Sequence, residues 1–118
     1  MTTDTATESE PVTTDEPMPV SSTEQLNGLV EGHDVVLVDF YADWCGPCQM
    51  LEPTVERLAE ESAATVAKVD VDANQQLASA YGVRGVPTLV LFAGGKQVEE
   101  IVGVKPEDQL RSLVESYA

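Results

Sequence analysis

The chain has 118 residues, 42% of them hydrophobic, and its 21 acidic and 6 basic side chains give a formal net charge of −15. This length and composition predict one globular domain that buries a core without disulfide staples. The shortage of cations argues against nucleic acid as a partner, because phosphate binding needs a basic surface. No apolar run approaches the ~18 residues of a membrane helix, and the first residues lack the basic-then-apolar order of a secretory signal. We therefore expect a cytoplasmic protein that does not bind membranes.

The acidity extends along the whole chain. Six acids and no base fall in the first 24 residues, and the remaining 15 acids against 6 bases still leave a net charge of −9. One interpretation is a highly soluble protein. The other is adaptation to a salty cytoplasm, where a short Debye length screens the repulsion between like charges.

The N-terminal part divides into a tail and the start of a domain. Residues 1–19 are rich in Thr, Ser, Glu and Pro without apolar periodicity, which predicts a disordered acidic tail. The domain is expected to occupy residues 20–118. Ser22 followed by Gln25 is typical of a capping box, and the helix that it opens is expected to end near Gly32.

The rest of the chain alternates strands and helices. Val35–Tyr41 is an apolar run interrupted only by Asp39, which predicts a central strand covered on both faces. Further strands are expected at 65–71, 88–92 and 97–102, and further helices from about Cys45, at 75–81, and from Pro106 with a buried stripe of Leu110, Leu113, Val114 and Tyr117. We therefore predict an α/β domain with a central mixed sheet of four to five strands and helices on both faces.

The most informative feature is Cys45-Gly46-Pro47-Cys48. These are the only two cysteines, and a disulfide across so short a loop stabilises a fold little, so reversible exchange explains the pair better. A helix that starts at about Cys45 puts this sulfur at its N-terminal end, whose partial positive charge favours a thiolate. Pro47 suits the first helical turn, because its missing N–H would be unpaired there anyway.

These residues predict a two-step mechanism. Cys45 attacks a substrate disulfide and forms a mixed disulfide, and Cys48 then loses its proton and attacks Cys45, which releases the reduced substrate. Asp39 is the natural candidate base, because a carboxyl group within an apolar strand is expected to be buried and burial raises its pKa. The alternative is an edge strand on which Asp39 faces water.

Several motifs resemble the thioredoxin family. The segment Val38-Asp39-Phe40-Tyr41-Ala42-Asp43-Trp44-Cys45-Gly46-Pro47-Cys48 resembles its active site, and Gly85-Val86-Pro87-Thr88, Gly94-Gly95 and Gly103 resemble its cis-proline loop, its hairpin turn and a glycine that lets a partner approach. The resemblance covers residues 20–118. It implies the thioredoxin fold and a monomeric protein-disulfide reductase without a bound cofactor. It also implies two kinds of partner, a thioredoxin reductase that re-reduces the protein and disulfide-containing client proteins.

The resemblance further implies roles for individual residues. Pro87 would be cis and lie against the cysteine pair, so that the backbone of Val86 docks an extended substrate segment. Lys68 resembles a buried lysine that tunes Asp39 electrostatically, and its alternative is a solvated lysine at a strand end. Trp44 is expected at the contact surface, and its alternative is core packing. The apolar surface around the first cysteine would comprise Trp44, Pro47, Val86, Pro87 and Gly103.

The chain also departs from the family pattern. Gln49 follows the second cysteine where many relatives carry a lysine, and Tyr41 stands where a second tryptophan is common. The first strand of the family is hard to find, and residues 18–20 supply a stub at most. The acidic tail is additional. The lost lysine and the tail are expected to affect which partners dock.

Three other functions compete with this interpretation. A structural zinc site needs four ligands, usually cysteine or histidine. The chain has only two cysteines and one histidine, His33, so we expect no metal site. An oxidant or isomerase with the same fold stays an alternative, although Gly46-Pro47 matches the reducing members and oxidising relatives tend to carry a histidine there. A non-catalytic binding module would dock partners through Trp44 and Val86, but both cysteines and the candidate base are present.

Overall fold

A mixed sheet of five strands runs through the domain, and helices pack on both of its faces. The structure is a computed structural model that describes residues 15–118. Within those residues, no helix has the length and apolar character needed to cross a membrane. The elements in chain order are β1 (Met18–Pro19), α1 (Thr23–Gly32), β2 (Val35–Tyr41), α2 (Gly46–Glu61), β3 (Thr65–Asp70), α3 (Gln75–Ala80), β4 (Thr88–Ala93), β5 (Lys96–Val102) and α4 (Glu107–Glu115).

Strand β2 occupies the centre of the sheet. The strand order is β1-β3-β2-β4-β5, with β2 parallel to β3 and antiparallel to β4. A strand with neighbours on both edges and helices over both faces needs an almost continuous apolar sequence, which β2 has. The predicted α/β class is therefore confirmed, and Asp39 lies in a central strand rather than an edge strand.

Alternation along β2 divides the core into two clusters. Val36 and Val38 point to the face covered by α1 and α3, whereas Val35 and Leu37 point to the face covered by α2 and α4. Asp39 has the same parity as Val35 and Leu37, so its side chain points towards α2. The helices contribute Leu26, Val30, Leu77 and Ala78 to the first cluster, and Leu51, Val55, Leu58, Leu110 and Val114 to the second.

Helix α1 begins and ends where the sequence predicts. The Ser22 hydroxyl accepts a hydrogen bond of 3.0 Å from the backbone N–H of Gln25, as in a capping box. The return bond differs, because Gln25 Oε1 accepts from the N–H of Ser21 at 3.0 Å instead of from that of Ser22. Gly32 is the last helical residue.

The sheet starts earlier than the predicted domain boundary. Met18–Pro19 forms β1 and pairs in parallel with β3. The backbone N–H of Val20 then donates to the carbonyl of Lys68 at 2.9 Å. A two-residue edge strand shows no periodicity, which is why its residues resemble tail sequence. The sheet therefore includes Met18 and Pro19, which the sequence assigns to the tail, and residues 1–14 of that predicted disordered tail lie outside the described residues.

The C-terminal helix is shorter than its apolar stripe suggests. Helix α4 ends at Glu115, and Leu110 and Val114 are buried as predicted. Tyr117 was expected in the same stripe, but it lies beyond the helix and is 37% exposed. Its hydroxyl donates a hydrogen bond of 2.7 Å to Glu99, so the polar end of the ring turns away from the core.

Candidate active site

The chain order brings the cysteine pair next to Asp39. Strand β2 ends at Tyr41, a short loop follows, and α2 begins at Gly46. Because α2 packs on the sheet face to which Asp39 points, the first turns of the helix lie over this carboxyl group. The strand–loop–helix arrangement predicted around the cysteines is confirmed.

Cys45 and Cys48 form a disulfide at the N-terminus of α2, with their Cα atoms 5.2 Å apart. Cys45 is the N-cap residue, and its Sγ accepts a hydrogen bond of 3.1 Å from the backbone N–H of Cys48. Pro47 lies in the first turn, as predicted. A sulfur that accepts an N–H at a helix N-terminus lies where negative charge is stabilised, which suits Cys45 as a thiolate nucleophile.

The two cysteines are buried to nearly the same degree. Cys45 is 3% exposed and Cys48 is 5% exposed. Cys48, one turn inside α2, is therefore no less exposed than Cys45 in the disulfide form. Val71 and Val86 pack against the cluster that the two cysteines form with Ala42. The intervening Gly46 and Pro47 are exposed.

One pocket of about 390 Å³ is lined by both Cys48 and the buried Asp39. Asp39 is 2% exposed, and its Oδ1 has no hydrogen-bond partner among residues 15–118. An unpartnered carboxyl oxygen in an apolar strand is costly, and it is typical of a group retained for chemistry. The pocket is lined by Asp39, Tyr41, Ala42, Asp43, Cys48, Gln49, Glu52 and Lys68.

The surroundings of Asp39 raise the pKa of its carboxyl group, so it stays protonated at pH values where an exposed aspartate is ionised. Burial raises the pKa of its carboxyl from 3.8 to about 7, Lys68 lowers it and Glu52 raises it further. Burial is the largest of these effects, because an apolar strand disfavours the charged form. Asp39 therefore exchanges its proton near neutral pH, as a general base must.

Lys68 lies close to Asp39 but pairs with a different acid. The two residues are register partners on the adjacent parallel strands β3 and β2. Lys68 Nζ is nevertheless 2.5 Å from Glu52 Oε2 and 4.4 Å from the centre of the Tyr41 ring. Its side chain is 18% exposed and lies mid-strand, so the alternative of a solvated lysine at a strand end is wrong.

Trp44 is a surface residue. Its side chain is 71% exposed, and the indole Nε1 donates a hydrogen bond of 2.8 Å to Asp72. The core-packing alternative is therefore wrong. The ring lines an apolar groove of about 170 Å³ together with Val71, Val83, Arg84, Gly85 and Val86.

Two loops complete the surface next to the cysteines. The Val86–Pro87 peptide bond is cis, as the family resemblance implies, and Pro87 is buried while Val86 is half-buried. Gly103 has φ +91°, a conformation that favours glycine, and its N–H donates to the Pro87 carbonyl at 2.9 Å. Val102 and Val104, on either side, are 61% and 41% exposed. The surface is apolar, with Pro87 beneath it rather than on it.

Sequence reasoning missed three residues of this region. Glu52 lies four residues after Cys48, and this helical spacing could have placed both on one face of α2. Asp72 comes two residues after the end of β3, at the edge of the sheet where the cysteines also lie. Arg84 is exposed in the groove beside Trp44, and only its position before the Gly85–Val86 loop could have drawn attention to it.

The chemistry that this fold carries follows from the disulfide itself. An external dithiol can reduce the Cys45–Cys48 bond by two successive exchanges, and the bond forms again when the pair reduces another disulfide, so two electrons pass in each cycle. The class of protein is therefore a thiol–disulfide oxidoreductase.

Comparison with known proteins identifies the family. The thioredoxin family model matches residues 17–116. The thioredoxin of Chlamydia caviae is 43% identical over 100 residues, which cover 84% of this chain and 97% of that one. The thioredoxin of Bacillus subtilis is 42% identical over 100 residues, with 83% and 96% covered. The solved structure of a mutant thioredoxin from Halobacterium salinarum superimposes with a TM-score of 0.87 at 64% identity, covering 92% of this chain and 96% of that one.

The chain belongs to the thioredoxin family. It is a protein-disulfide reductase whose redox-active centre is the Cys45–Cys48 pair. The family resemblance found in the sequence is thereby confirmed, together with the fold and the class of reaction that it implies.

Proposed function

We propose that the protein is a general reductant of protein disulfides in which Cys45 is the nucleophile, Cys48 the resolving thiol and Asp39 the base. One observation carries this assignment: Asp39 and Cys48 line the same pocket, while the Cys45 sulfur accepts an N–H at the helix N-terminus. The nucleophile thus has a site that favours its anion, and the resolving thiol has a proton acceptor beside it.

The reaction proceeds in two exchanges. The Cys45 thiolate attacks one sulfur of a client disulfide, the client S–S bond breaks, and the other client sulfur leaves as a thiolate. Asp39 then takes the proton of Cys48, and the resulting thiolate attacks the Cys45 sulfur of the mixed disulfide. The second client sulfur leaves, so the client gains two electrons and the protein retains the Cys45–Cys48 bond.

The client is proposed to dock as an extended segment across the apolar surface beside the cysteines. Trp44, Val86 and Gly103 supply this surface, with Pro47 at the rim and Pro87 beneath it. Exposed apolar groups flanking the disulfide favour client segments with apolar side chains next to the reacting cysteine. Gly46 and Pro47, in the first turn of α2, are proposed to set the reduction potential together with Lys68, through its charge near Asp39.

The cycle needs a source of electrons outside the chain. We propose that a thioredoxin reductase re-reduces the Cys45–Cys48 bond and that the protein works in the cytoplasm as a monomer without a bound cofactor. A reductase of protein disulfides needs a compartment that keeps its thiols reduced, which supports the cytoplasm. The high negative charge is proposed to reflect a salty environment, which the likeness to a Halobacterium salinarum thioredoxin supports.

Serine substitutions at the two cysteines test the assigned roles. Cys45→Ser is expected to abolish the reduction of a protein disulfide, and Cys48→Ser is expected to accumulate a mixed disulfide that mass spectrometry detects. If both variants bind clients as the parent protein does and neither forms a mixed disulfide, the assignment is contradicted and a non-catalytic binding module is favoured.

The direction of electron flow is tested by equilibrating the Cys45–Cys48 pair with defined thiol–disulfide buffers. Trp44, the only tryptophan, reports the oxidation state by its fluorescence. We expect a potential well below that of the glutathione pool. A potential at or above that pool would favour the alternative, an oxidant or isomerase of the same fold.

A further inference from the structure

The Asp39 pocket opens to solvent past an ion pair. Exposure increases outward, from 2% for Asp39 to 18% for the Lys68 side chain and 46% for that of Glu52. Glu52 lies one helical turn after Cys48 on α2, so the resolving cysteine and the outer acid share one face of the helix. Cys48, Asp39 and Glu52 therefore line a single pocket.

The ammonium group in this pocket has two carboxyl groups within reach. Register partners on adjacent strands lie about 4.7–4.9 Å apart and point to the same face, so Lys68 starts beside Asp39. Its Nζ instead lies 2.5 Å from Glu52 Oε2, and among residues 15–118 Lys68 forms no ion pair with Asp39. The Oδ1 atom of Asp39 is left without a partner.

We propose that Glu52 is a positioning residue for the dithiol exchange, because it holds the Lys68 ammonium at the mouth of the pocket and thereby keeps Asp39 unpaired and able to take the proton of Cys48. An Asp39 that paired with Lys68 would be a stabilised carboxylate and a weaker base. The proposal rests on the assignment of Asp39 as the base.

The charges around Asp39 agree with this role. The titratable groups that face it are Cys48 and Glu52 from α2, Lys68 from β3, and Tyr41 and Asp43 from β2 and the following loop; the adjoining strand β4 carries none. Besides burial, Lys68 lowers the pKa of Asp39 and Glu52 raises it. Removing Glu52 therefore acts twice in the same direction, since it deletes a negative charge and releases the ammonium.

The direct test is a carbon-NMR titration of the Asp39 carboxyl group in the disulfide form, where the cysteines do not titrate. In Glu52→Gln the midpoint is expected to fall by about 1 pH unit or more, the usual effect of a newly formed carboxylate–ammonium contact. Glu56→Gln is the matched control, because it removes the same charge one turn further along α2 from an exposed position. An unchanged or higher midpoint in Glu52→Gln would overturn the proposal.

A double-mutant cycle with Lys68→Gln tests whether Glu52 acts through the lysine. Without the ammonium, the Glu52→Gln substitution is expected to change the Asp39 midpoint little, so the two effects are not additive. If Glu52→Gln lowers the midpoint equally with and without Lys68, Glu52 is only a nearby charge and the positioning role is wrong.

A kinetic measurement distinguishes the positioning role of Glu52 from the assignment of Asp39 as the base. The rate at which Cys48 resolves a preformed mixed disulfide is expected to follow the shifted Asp39 midpoint in Glu52→Gln. A midpoint that shifts while the pH profile of resolution stays fixed would show that Asp39 is not the base, with the positioning by Glu52 intact. A fixed midpoint together with a normal pH profile would overturn the positioning alone.

Discussion

The indole Nε1 of Trp44 donates a hydrogen bond of 2.8 Å to Oδ2 of Asp72, 28 residues further along the chain. The ring is 71% exposed, so this bond, and not burial, fixes its orientation. A side chain already held in one orientation loses less conformational entropy when a partner binds. Asp72 therefore holds Trp44 in advance in one orientation on the surface where we propose that clients dock.

The first prediction concerns this bond. Asp72→Ala is expected to increase the mobility of the Trp44 ring and to weaken the docking of protein disulfides several-fold. In the variant the side chain of Trp44 becomes ordered only when a client binds, and the loss of its conformational entropy then reduces the affinity. Fluorescence anisotropy of the single tryptophan measures the mobility, and the KM for a protein disulfide measures the docking. The rate with a small disulfide that does not reach Trp44 is expected to stay unchanged.

Asp43→Ala provides the control for charge. It removes an exposed acid next to Trp44 without touching the indole bond. If both substitutions change the anisotropy and KM equally, the effect is one of charge, and the orientation of Trp44 by Asp72 is not its cause.

The second prediction is a pH-dependent gain in stability from Asp39→Asn. The pKa of Asp39 is about 7 in the folded protein against an ordinary value of 3.8, so the folded state holds this proton more tightly than the unfolded state. Ionising Asp39 therefore costs stability as the pH rises from about 4 to 7. Asparagine cannot ionise, so the variant is expected to be the more stable protein above pH 7, by an amount on the order of a few kcal/mol at ~1.4 kcal/mol per unit of pKa.

Urea unfolding of the disulfide form at several pH values checks this prediction. The difference between Asp39→Asn and the parent is expected to shrink towards zero as the pH falls to about 4, with the m-value unchanged. Asp34→Asn, at an exposed position, is the control that shows no such trend. A gain that does not depend on pH would mean that Asp39 is not titrating in the folded state.

The third prediction concerns salt. With a net charge of −15, the chain repels itself at low ionic strength, and the Debye length falls from about 30 Å at 0.01 M to about 3 Å at 1 M. The melting temperature is therefore expected to rise between these concentrations of potassium chloride. An uncharged osmolyte at the same osmolality controls for effects other than screening, and a melting temperature indifferent to salt would contradict salt adaptation.

The fourth prediction concerns the packing of the helix that carries the cysteines. Leu51 is 1% exposed and belongs to the cluster between α2 and the sheet. Leu51→Ala is expected to lower the free energy of unfolding by about 2–5 kcal/mol. Met50→Ala, on the same helix but 72% exposed, is expected to change it by about 0.5 kcal/mol or less, and denaturant unfolding measures both.

Much of the fold was predictable because local patterns and burial agree. The continuous apolar run of β2 matches a strand with neighbours on both edges, and Ser22 caps α1 as its residue type suggests. Strand β1 was not predictable, since two residues carry no period and only pairing with β3 defines them. Tyr117 was misplaced because periodicity cannot tell where a helix ends.

The candidate site, like the fold, was predictable from the sequence only in part. The cysteines and Asp39 are visible in sequence, because each contrasts with its neighbours in residue type. The Lys68–Glu52 pair is not visible, because the choice between two carboxyl groups depends on the packing of α2 over β3. The packing of Val71 and Val86 against the two cysteines is not visible either, because these valines lie in other parts of the chain.

The hydrogen bond from the Gly103 N–H to the Pro87 carbonyl joins two loops that are distant in sequence. This bond ties the segment that follows β5 to the one that precedes β4. In the proposed docking mode, a client that contacts Val104 is thereby coupled through one backbone hydrogen bond to the loop of Val86, which packs against the cysteines. The two loops therefore form one structural unit. We expect that a change of client specificity alters both loops together, whereas α2, which carries the cysteines, need not change.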